Sequence, residues 1–240
     1  MSTSTRAKPA ASIMGRYTPR IFRAADPSPA TWAEALGQAA TLGFDTLLVP
    51  GAEPPAALLE AAQGLNIAVL ATLQLDQAPP GWTAGGPFRR LPAPTLDPRR
   101  PPTPAAEAMA TLIGPPDIAR LLEAWNPRLA ALAKAGVAGI RLLGLPELPG
   151  WAVAPLLEGL RARSGDLLLV AATPGLSWAL LDTLPRRCVD AVESSLAHWN
   201  GHADWLWQEL ERLRRIAPVI ASAEANAGVR PAWGSLAAIL

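Results

Sequence analysis

The sequence contains a single cysteine, Cys188, among its 240 residues. A lone cysteine cannot form an internal disulfide. The absence of disulfides is expected in a reducing compartment, so the sequence predicts a cytoplasmic protein. Long apolar runs are also absent, since the longest, at 167–172, is far shorter than the roughly 20 residues that a membrane-spanning helix needs. A net charge of only +1 provides no overall field toward nucleic acid or an anionic membrane.

Several motifs of common enzyme classes are missing as well. No Gly-x-Gly-x-x-Gly follows a predicted strand, and neither a Walker-type loop nor a serine nucleophile elbow is present. These absences disfavour nucleotide binding and serine hydrolase chemistry, and we expect no cofactor. His198 and His202 have a spacing that would place both on one helical face, but Gly201 between them favours a loop. We therefore expect no metal site.

What the sequence does contain is a regular alternation of short apolar runs and helical patterns. This alternation is typical of β/α units around a parallel sheet, and the length suits one barrel domain. We predict an α/β fold of the (β/α)8 TIM-barrel type, incomplete with about seven strands, over residues 17–240, and a disordered basic tail over 1–16. The predicted strands are 20–23, 46–49, 67–71, 139–143, 166–171, 188–192 and 217–221.

The helical patterns have recognisable ends. The first is predicted to open at Ser28 or Pro29 and to close at Gly43, and a later one is predicted to be capped by Asp117 and kinked or split at Pro127. Between the third strand and that helix, residues 79–116 contain 11 of the chain's 26 prolines. Such a stretch is an excursion from the barrel, a docking surface, or disorder; we expect disorder or an extended surface wrap.

Five segments carry a resemblance to a known family. They read Leu-Gly-Phe-Asp-Thr-Leu-Leu-Val-Pro (42–50), Asp-Pro-Arg-Arg-Pro-Pro (97–102), Ala-Gly-Val-Ala-Gly-Ile-Arg (135–141), Trp-Asn-Gly-His-Ala-Asp-Trp-Leu (199–206) and Leu-Arg-Arg-Ile-Ala-Pro-Val-Ile-Ala (213–221). In their order and spacing they resemble the α-amylase family, in particular the amylase-type modules of bacterial α-1,4-glucan:maltose-1-phosphate maltosyltransferases. The resemblance implies an amylase-like barrel and α-glucan, maltosyl or glycogen metabolism.

The same resemblance locates the catalytic positions, and the required carboxylates are not there. The family's nucleophile is an Asp two residues after the arginine of the fourth strand, where this chain has Leu143 after Arg141. The acid/base Glu belongs at the end of the fifth strand, where the chain has Ala171 or Ala172. The family's Asp-x-x-x-Asn-His motif appears at 72–77 without its leading Asp. A third acid has no counterpart at 222–224, so the resemblance implies a pseudoenzyme.

The leading hypothesis is a non-catalytic glycan- or partner-binding barrel. Its candidate ligand-binding residues are Asp76, Arg141, Trp199, His202 and Glu224, and its candidate ligands are an α-glucan or a maltosyl phosphate. Trp205 and Trp207, beside Trp199, are instead expected to flank a helix start and cover the core.

Two alternatives stay open. One is an active glycosidase or glycosyltransferase using displaced acids among Asp76, Glu147, Glu193 and Glu224, although we expect these acids to be solvated. The other is a purely structural assembly module.

Two structural expectations follow from these assignments. Arg141 stands in a buried strand without its family partner, so we expect another acid, a set of backbone carbonyls or a bound anion to face it. An open seven-stranded sheet leaves two unpaired edges. We expect residues 13–23, the apolar tail 235–240 or a second copy of the chain to cover them, and we predict self-association that buries the tail.

Overall fold

A computed structural model describes residues 19–24, 29–51, 53–79, 86–90, 108–199 and 202–220. The strands are β1 (Ile21–Arg23), β2 (Thr46–Leu48), β3 (Ala68–Gln74), β4 (Phe88–Arg90), β5 (Ala108–Ala110), β6 (Gly139–Leu143), β7 (Leu168–Ala172), β8 (Ala191–Glu193) and β9 (Val219–Ile220). The helices are α1 (Pro29–Thr41), α2 (Ala56–Gly64), α3 (Pro115–Ala135), α4 (Gly150–Arg163), α5 (Trp178–Thr183) and α6 (Trp205–Ile216), with a 3-10 turn at Ser195–His198.

Seven strands form one parallel sheet in the order β1-β2-β3-β6-β7-β8-β9, and helices connect successive strands. The sheet curls into a half-barrel, which confirms the predicted α/β fold and the count of seven strands. In the described part of the chain β1 and β9 are its two edges. The tail expected to cover an edge and most of residues 1–23 lie outside the described residues, so the self-association stays a prediction. None of the described helices is both long and apolar enough to cross a membrane.

Helix α3 shows how local sequence sets the bounds of an element. Its N-cap is Gly114, not Asp117 as predicted, because Asp117 sits in the first turn and its Oδ2 accepts hydrogen bonds from the backbone N–H groups of Ile113 and Gly114. Of the two effects expected at Pro127, the split is wrong, since the helix continues through it to Ala135, while the kink stays a prediction. Pro127 lies on the exposed face, so the carbonyl that it leaves without a partner can be hydrated.

The proline-rich stretch 79–116 contains more structure than predicted. Within it β4 and β5 pair antiparallel, and the buried ring of Phe88 anchors this small sheet in the main core. The expectation of disorder or an extended wrap is wrong for these strands, while residues 80–85 and 91–107 lie outside the described ranges. The backbone N–H of Ala110 donates to the carbonyl of Asp76 at 2.7 Å, which attaches the small sheet to the end of β3.

Two apolar layers enclose the main sheet. The larger lies outside, where alternate strand residues such as Ala71, Leu142 and Ala171 pack against the helices. The smaller lies on the concave side and joins Leu48, Leu70, Val170, Ala191 and Ile220, with Ile21 packed against it. Strand residues alternate between the two layers. The inward-facing residues that come after the inner cluster along each strand, toward its carboxyl end, therefore face the open mouth of the half-barrel.

Candidate functional site

The concave side of the sheet opens into a cavity at the carboxyl ends of its strands. The cavity volume is about 260 Å³, and its lining comes from β1, β2, β3, β6 and the turn after β2: Arg23, Leu48, Pro50, Gly51, Thr72, Gln74, Arg141 and Leu143. Active sites of β/α barrels lie at this end of the sheet. We call this space the mouth cavity.

Arg141 is the central charged residue of the mouth. Its Nε donates to both carboxylate oxygens of Glu193, at 2.9 and 3.0 Å, and its Nη2 donates to Oε2 at 2.6 Å. Arg141 is 9% exposed and Glu193 5%, so the pair is buried. The prediction that an acid, carbonyls or an anion would face Arg141 is confirmed, and the partner is an acid from β8. The Thr173 hydroxyl donates to the backbone carbonyl of Glu193 and fixes the end of that strand.

The two positions implied for catalysis have different locations. Leu143 lines the mouth cavity, so a carboxylate there would face a bound ligand. Ala171 instead packs in the outer layer between sheet and helices, which makes it the wrong choice for a site position. The alternation of the strand gives the concave side to Ala172, between Val170 and the loop. None of the residues lining the cavity carries a carboxylate.

Asp76 forms a second buried acidic position, just beyond β3. The Gln74 amide donates to its Oδ1, and the backbone of Gly144 lies so close that a Cβ there would be 1.8 Å from the same oxygen. Burial raises the pKa of Asp76, and the charge of Glu147 raises it further, against the lowering effect of the Gln74 hydrogen bond. Asp76 and Glu193 are thus buried rather than solvated as predicted, whereas Glu147 is exposed.

The loop between β8 and α6 brings aromatic residues to the same end of the sheet. Glu209 on α6 accepts hydrogen bonds from the backbone and hydroxyl of Ser195, which ties down the 3-10 turn. The indole of Trp199 donates to the carbonyl of Ala203 at 2.7 Å, and its ring meets that of Trp207 edge-on at 6.1 Å. Trp199 is half-buried, while Trp207 is largely exposed.

The remaining predicted site residues divide between solvent and the part of the chain that is not described. His198 and His202 are both exposed, and His198 ends the 3-10 turn rather than starting a shared helical face. The described residues contain no group of three side chains suited to hold a metal. Glu224 lies outside the described residues. Trp205 is half-buried against the cluster of Leu196, Leu206 and Leu210, as expected for a residue covering the core. The same expectation is wrong for Trp207, which is 46% exposed.

Sequence reasoning missed three polar residues of the mouth: Arg23, Thr72 and Gln74. The signal that could have found them is the period of two along a strand. In β3 the inward-facing Leu70 is followed at the same spacing by Thr72 and then Gln74. Polar residues that replace apolar ones toward the carboxyl end of a buried strand mark the point where the core gives way to a site.

Comparisons with known proteins agree with this fold. The glycoside hydrolase domain of PelA from Pseudomonas aeruginosa superposes with a TM-score of 0.56 at 22% identity, covering 92% of this chain and 88% of that one. Eubacterium rectale Amy13B gives a TM-score of 0.55 at 10% identity, covering 89% and 60%. At these identities the likeness shows the fold alone.

Sequence similarity supplies a relative. The chain is 36% identical over 110 residues to the α-1,4-glucan:maltose-1-phosphate maltosyltransferase of Burkholderia pseudomallei. The match covers 46% of this chain and 10% of that protein. No family model matches the sequence. The chain thus has an amylase-like β/α fold and is related to a maltosyltransferase, as the sequence motifs predicted.

Proposed function

We propose that residues 17–240 form a non-catalytic amylase-like barrel of α-glucan or maltosyl metabolism that binds a glycan in the mouth cavity. The observation that carries the proposal is the lining of that cavity, in which polar donors surround Leu143 at the expected nucleophile position. An isobutyl group can neither attack an anomeric carbon nor transfer a proton. The single, buried Cys188 supports a cytoplasmic setting for this role.

Glu193 is a poor substitute for the missing carboxylates. Both of its oxygens already accept hydrogen bonds from Arg141, and it does not line the cavity. A retaining glycosidase also needs a second carboxyl about 5–5.5 Å from the first, across the scissile bond. None of the described residues that line the cavity is a carboxylate, so none of them can serve as a member of such a pair.

The polar groups of the cavity suit recognition of a sugar. The Thr72 hydroxyl already donates to the carbonyl of Val49 at 3.0 Å, so it can accept a hydrogen bond from a sugar hydroxyl. The Gln74 amide donates one N–H to Asp76 and keeps its second N–H and its carbonyl oxygen for a ligand. Arg141 uses Nε and Nη2 for Glu193, and its Nη1 has no hydrogen bond to any described residue. Arg23 adds a second guanidinium, so a maltosyl phosphate would also find donors here.

One observation favours a second candidate, an enzyme with displaced carboxylates. Asp76 is a buried acid with a raised pKa, and Glu147 acts on it. A buried carboxyl with a raised pKa is suited to the role of general acid. This candidate predicts turnover with a bell-shaped pH profile that is lost in Asp76→Asn, Glu147→Gln or Glu193→Gln.

The proposal is tested by incubation of the purified chain with maltose-1-phosphate, glycogen and maltooligosaccharides, with binding and product formation both measured. We expect saturable binding without products. Gln74→Ala should weaken binding, because it removes an amide from the cavity. Gln38→Ala is the matched control, since Gln38 lies on the exposed face of α1 and its side-chain amide donates to Glu34, far from the cavity lining. Turnover that a single acid substitution abolishes would overturn the proposal in favour of the enzyme.

A further inference from the structure

The exposed tryptophans of the described chain share one end of the sheet. Trp151, Trp178 and Trp207 are 44%, 40% and 46% exposed. Each lies in the first turn of a helix, α4, α5 and α6, and these helices follow the consecutive strands β6, β7 and β8. A helix that follows a barrel strand begins at the carboxyl end of that strand. The three tryptophans therefore stand on helix starts at the same end of the sheet as the mouth cavity.

The opposite end of the sheet differs in composition. The large exposed apolar residues there are Leu42 and Leu65, which follow the carboxyl ends of α1 and α2. A third exposed aliphatic residue, Ile113, precedes α3. In the described ranges, aromatic exposure is thus confined to the rim around the mouth, whereas aliphatic exposure is scattered. Single exposed leucines are ordinary, but three large aromatic rings on one rim are not.

Two of the rings are held in place by neighbours. Trp207 packs against the edge of Trp199, whose indole N–H is bound to Ala203. Trp178 lies under the guanidinium of Arg212 at 4.6 Å, and Asp182 pairs with that arginine. A ring that is already oriented loses little conformational entropy when a ligand arrives. Trp178 and Trp207 are therefore oriented in advance, and because Arg212 covers one face of the Trp178 ring, a sugar can stack only on the other face of that ring.

We propose that Trp151, Trp178 and Trp207 form a rim arc that binds the length of an α-glucan chain by stacking against its sugar rings. The proposal rests on the proposed function, which places one part of the glycan in the mouth cavity. An indole offers a flat apolar face to the C–H face of a pyranose and leaves the sugar hydroxyls in water. Neighbouring helices are about 10 Å apart, so an arc across three of them suits a polymer better than a disaccharide.

A protein partner is the weaker alternative for this surface. A stable protein interface buries about 800 Å² on each side in one continuous patch. The three tryptophans stand on separate helices, and charged residues such as Asp182 and Arg212 lie beside them. Spaced aromatic rings with polar residues between them match a chain of sugar units, each with one apolar face and a polar edge.

The test compares a long ligand with a short one, using glycogen and maltotriose. In the full chain, Trp151→Ala/Trp178→Ala/Trp207→Ala should weaken glycogen binding by about tenfold or more, because it removes three stacking contacts that act together on one glycan chain. Maltotriose, which is too short to reach from the mouth cavity across the arc, should bind the variant within about twofold of its affinity for wild type. The matched control, Leu42→Ala/Leu65→Ala, removes exposed apolar groups from the opposite end and should change neither affinity.

Each outcome has one meaning. Unchanged glycogen binding in the alanine variant, or an equal loss in the leucine control, overturns the rim arc and leaves the mouth proposal standing. Glycogen that binds wild type no more tightly than maltotriose also overturns the arc. If wild type binds neither ligand, the proposed function falls, and the arc falls with it. Should the triple alanine variant not fold, the three single alanine variants replace it in the same comparison of glycogen with maltotriose. A triple phenylalanine variant, which keeps a stacking face at each position, is compared with them.

Discussion

The buried ion pair between Arg141 and Glu193 allows a quantitative test of the mouth geometry. Glu193→Gln keeps the shape of the side chain but removes its charge and replaces one acceptor oxygen with a donor NH2 group. The guanidinium of Arg141 then stays buried with three hydrogen bonds disrupted or lost. Breaking one side of a buried pair costs about 3–5 kcal/mol. For a domain of this size that corresponds to a fall in Tm of roughly 6–20 °C.

The assay is urea unfolding followed by circular dichroism, with two matched variants. Glu53→Gln removes the partner of Arg128, but Glu53 is largely exposed, so the cost should be at most about 1 kcal/mol. Arg141→Met/Glu193→Leu removes both charges together and should be more stable than Glu193→Gln, because no unpaired charge remains. A Glu193→Gln variant no less stable than Glu53→Gln would refute the buried pair and, with it, the placement of Arg141 in the mouth.

Three further predictions concern neighbouring groups. Burial raises the folded pKa of Asp76, so its charged form costs stability at neutral pH, and this cost disappears as pH falls through the folded pKa. Asp76→Asn should therefore raise Tm at pH 7 and lose this advantage toward pH 4. A difference in Tm between the variant and wild type that does not change with pH would contradict this reasoning. Gly144→Ala adds a Cβ at φ +78° and 1.8 Å from Asp76, so it should cost well over 1 kcal/mol in urea unfolding and more than Gly136→Ala, which has φ +90° but open space. Burial also raises the pKa of the Cys188 thiol to about 11, so Ellman's reagent should label it only after unfolding, and rapid labelling of the native chain would disprove its burial.

Repeating short patterns made most of the fold predictable. The predicted strand at 139–143 coincides with β6, because its residues other than Arg141 are apolar or glycine and the segment is bounded by Gly136 and Gly144. The antiparallel pair β4 and β5 was missed because its pairing is set by contacts across 17 intervening residues and not by local propensity. The split at Pro127 was wrong because the packing of the buried face of α3 outweighs one lost hydrogen bond on its exposed face.

The site was predictable in its parts but not in its pairings. The missing family Asp showed that Arg141 needed a partner, and Glu193 was among the acids assigned to the rim. Their separation of 52 residues and two strands in the sheet leaves no local signal that joins them. The burial of Asp76 was also beyond sequence reasoning, since it depends on the close approach of Gly144 from the neighbouring β6 loop.

The central claim is that the mouth binds an α-glucan without transforming it, and one calorimetric titration with maltoheptaose tests both halves. Binding releases or absorbs heat that ends once equilibrium is reached, whereas turnover gives a sustained thermal power that persists while substrate remains. We predict a saturable isotherm whose signal returns to baseline after every injection. Sustained power would show that the chain is an active enzyme despite Leu143, and the absence of any binding heat across a range of temperatures would contradict glycan recognition itself.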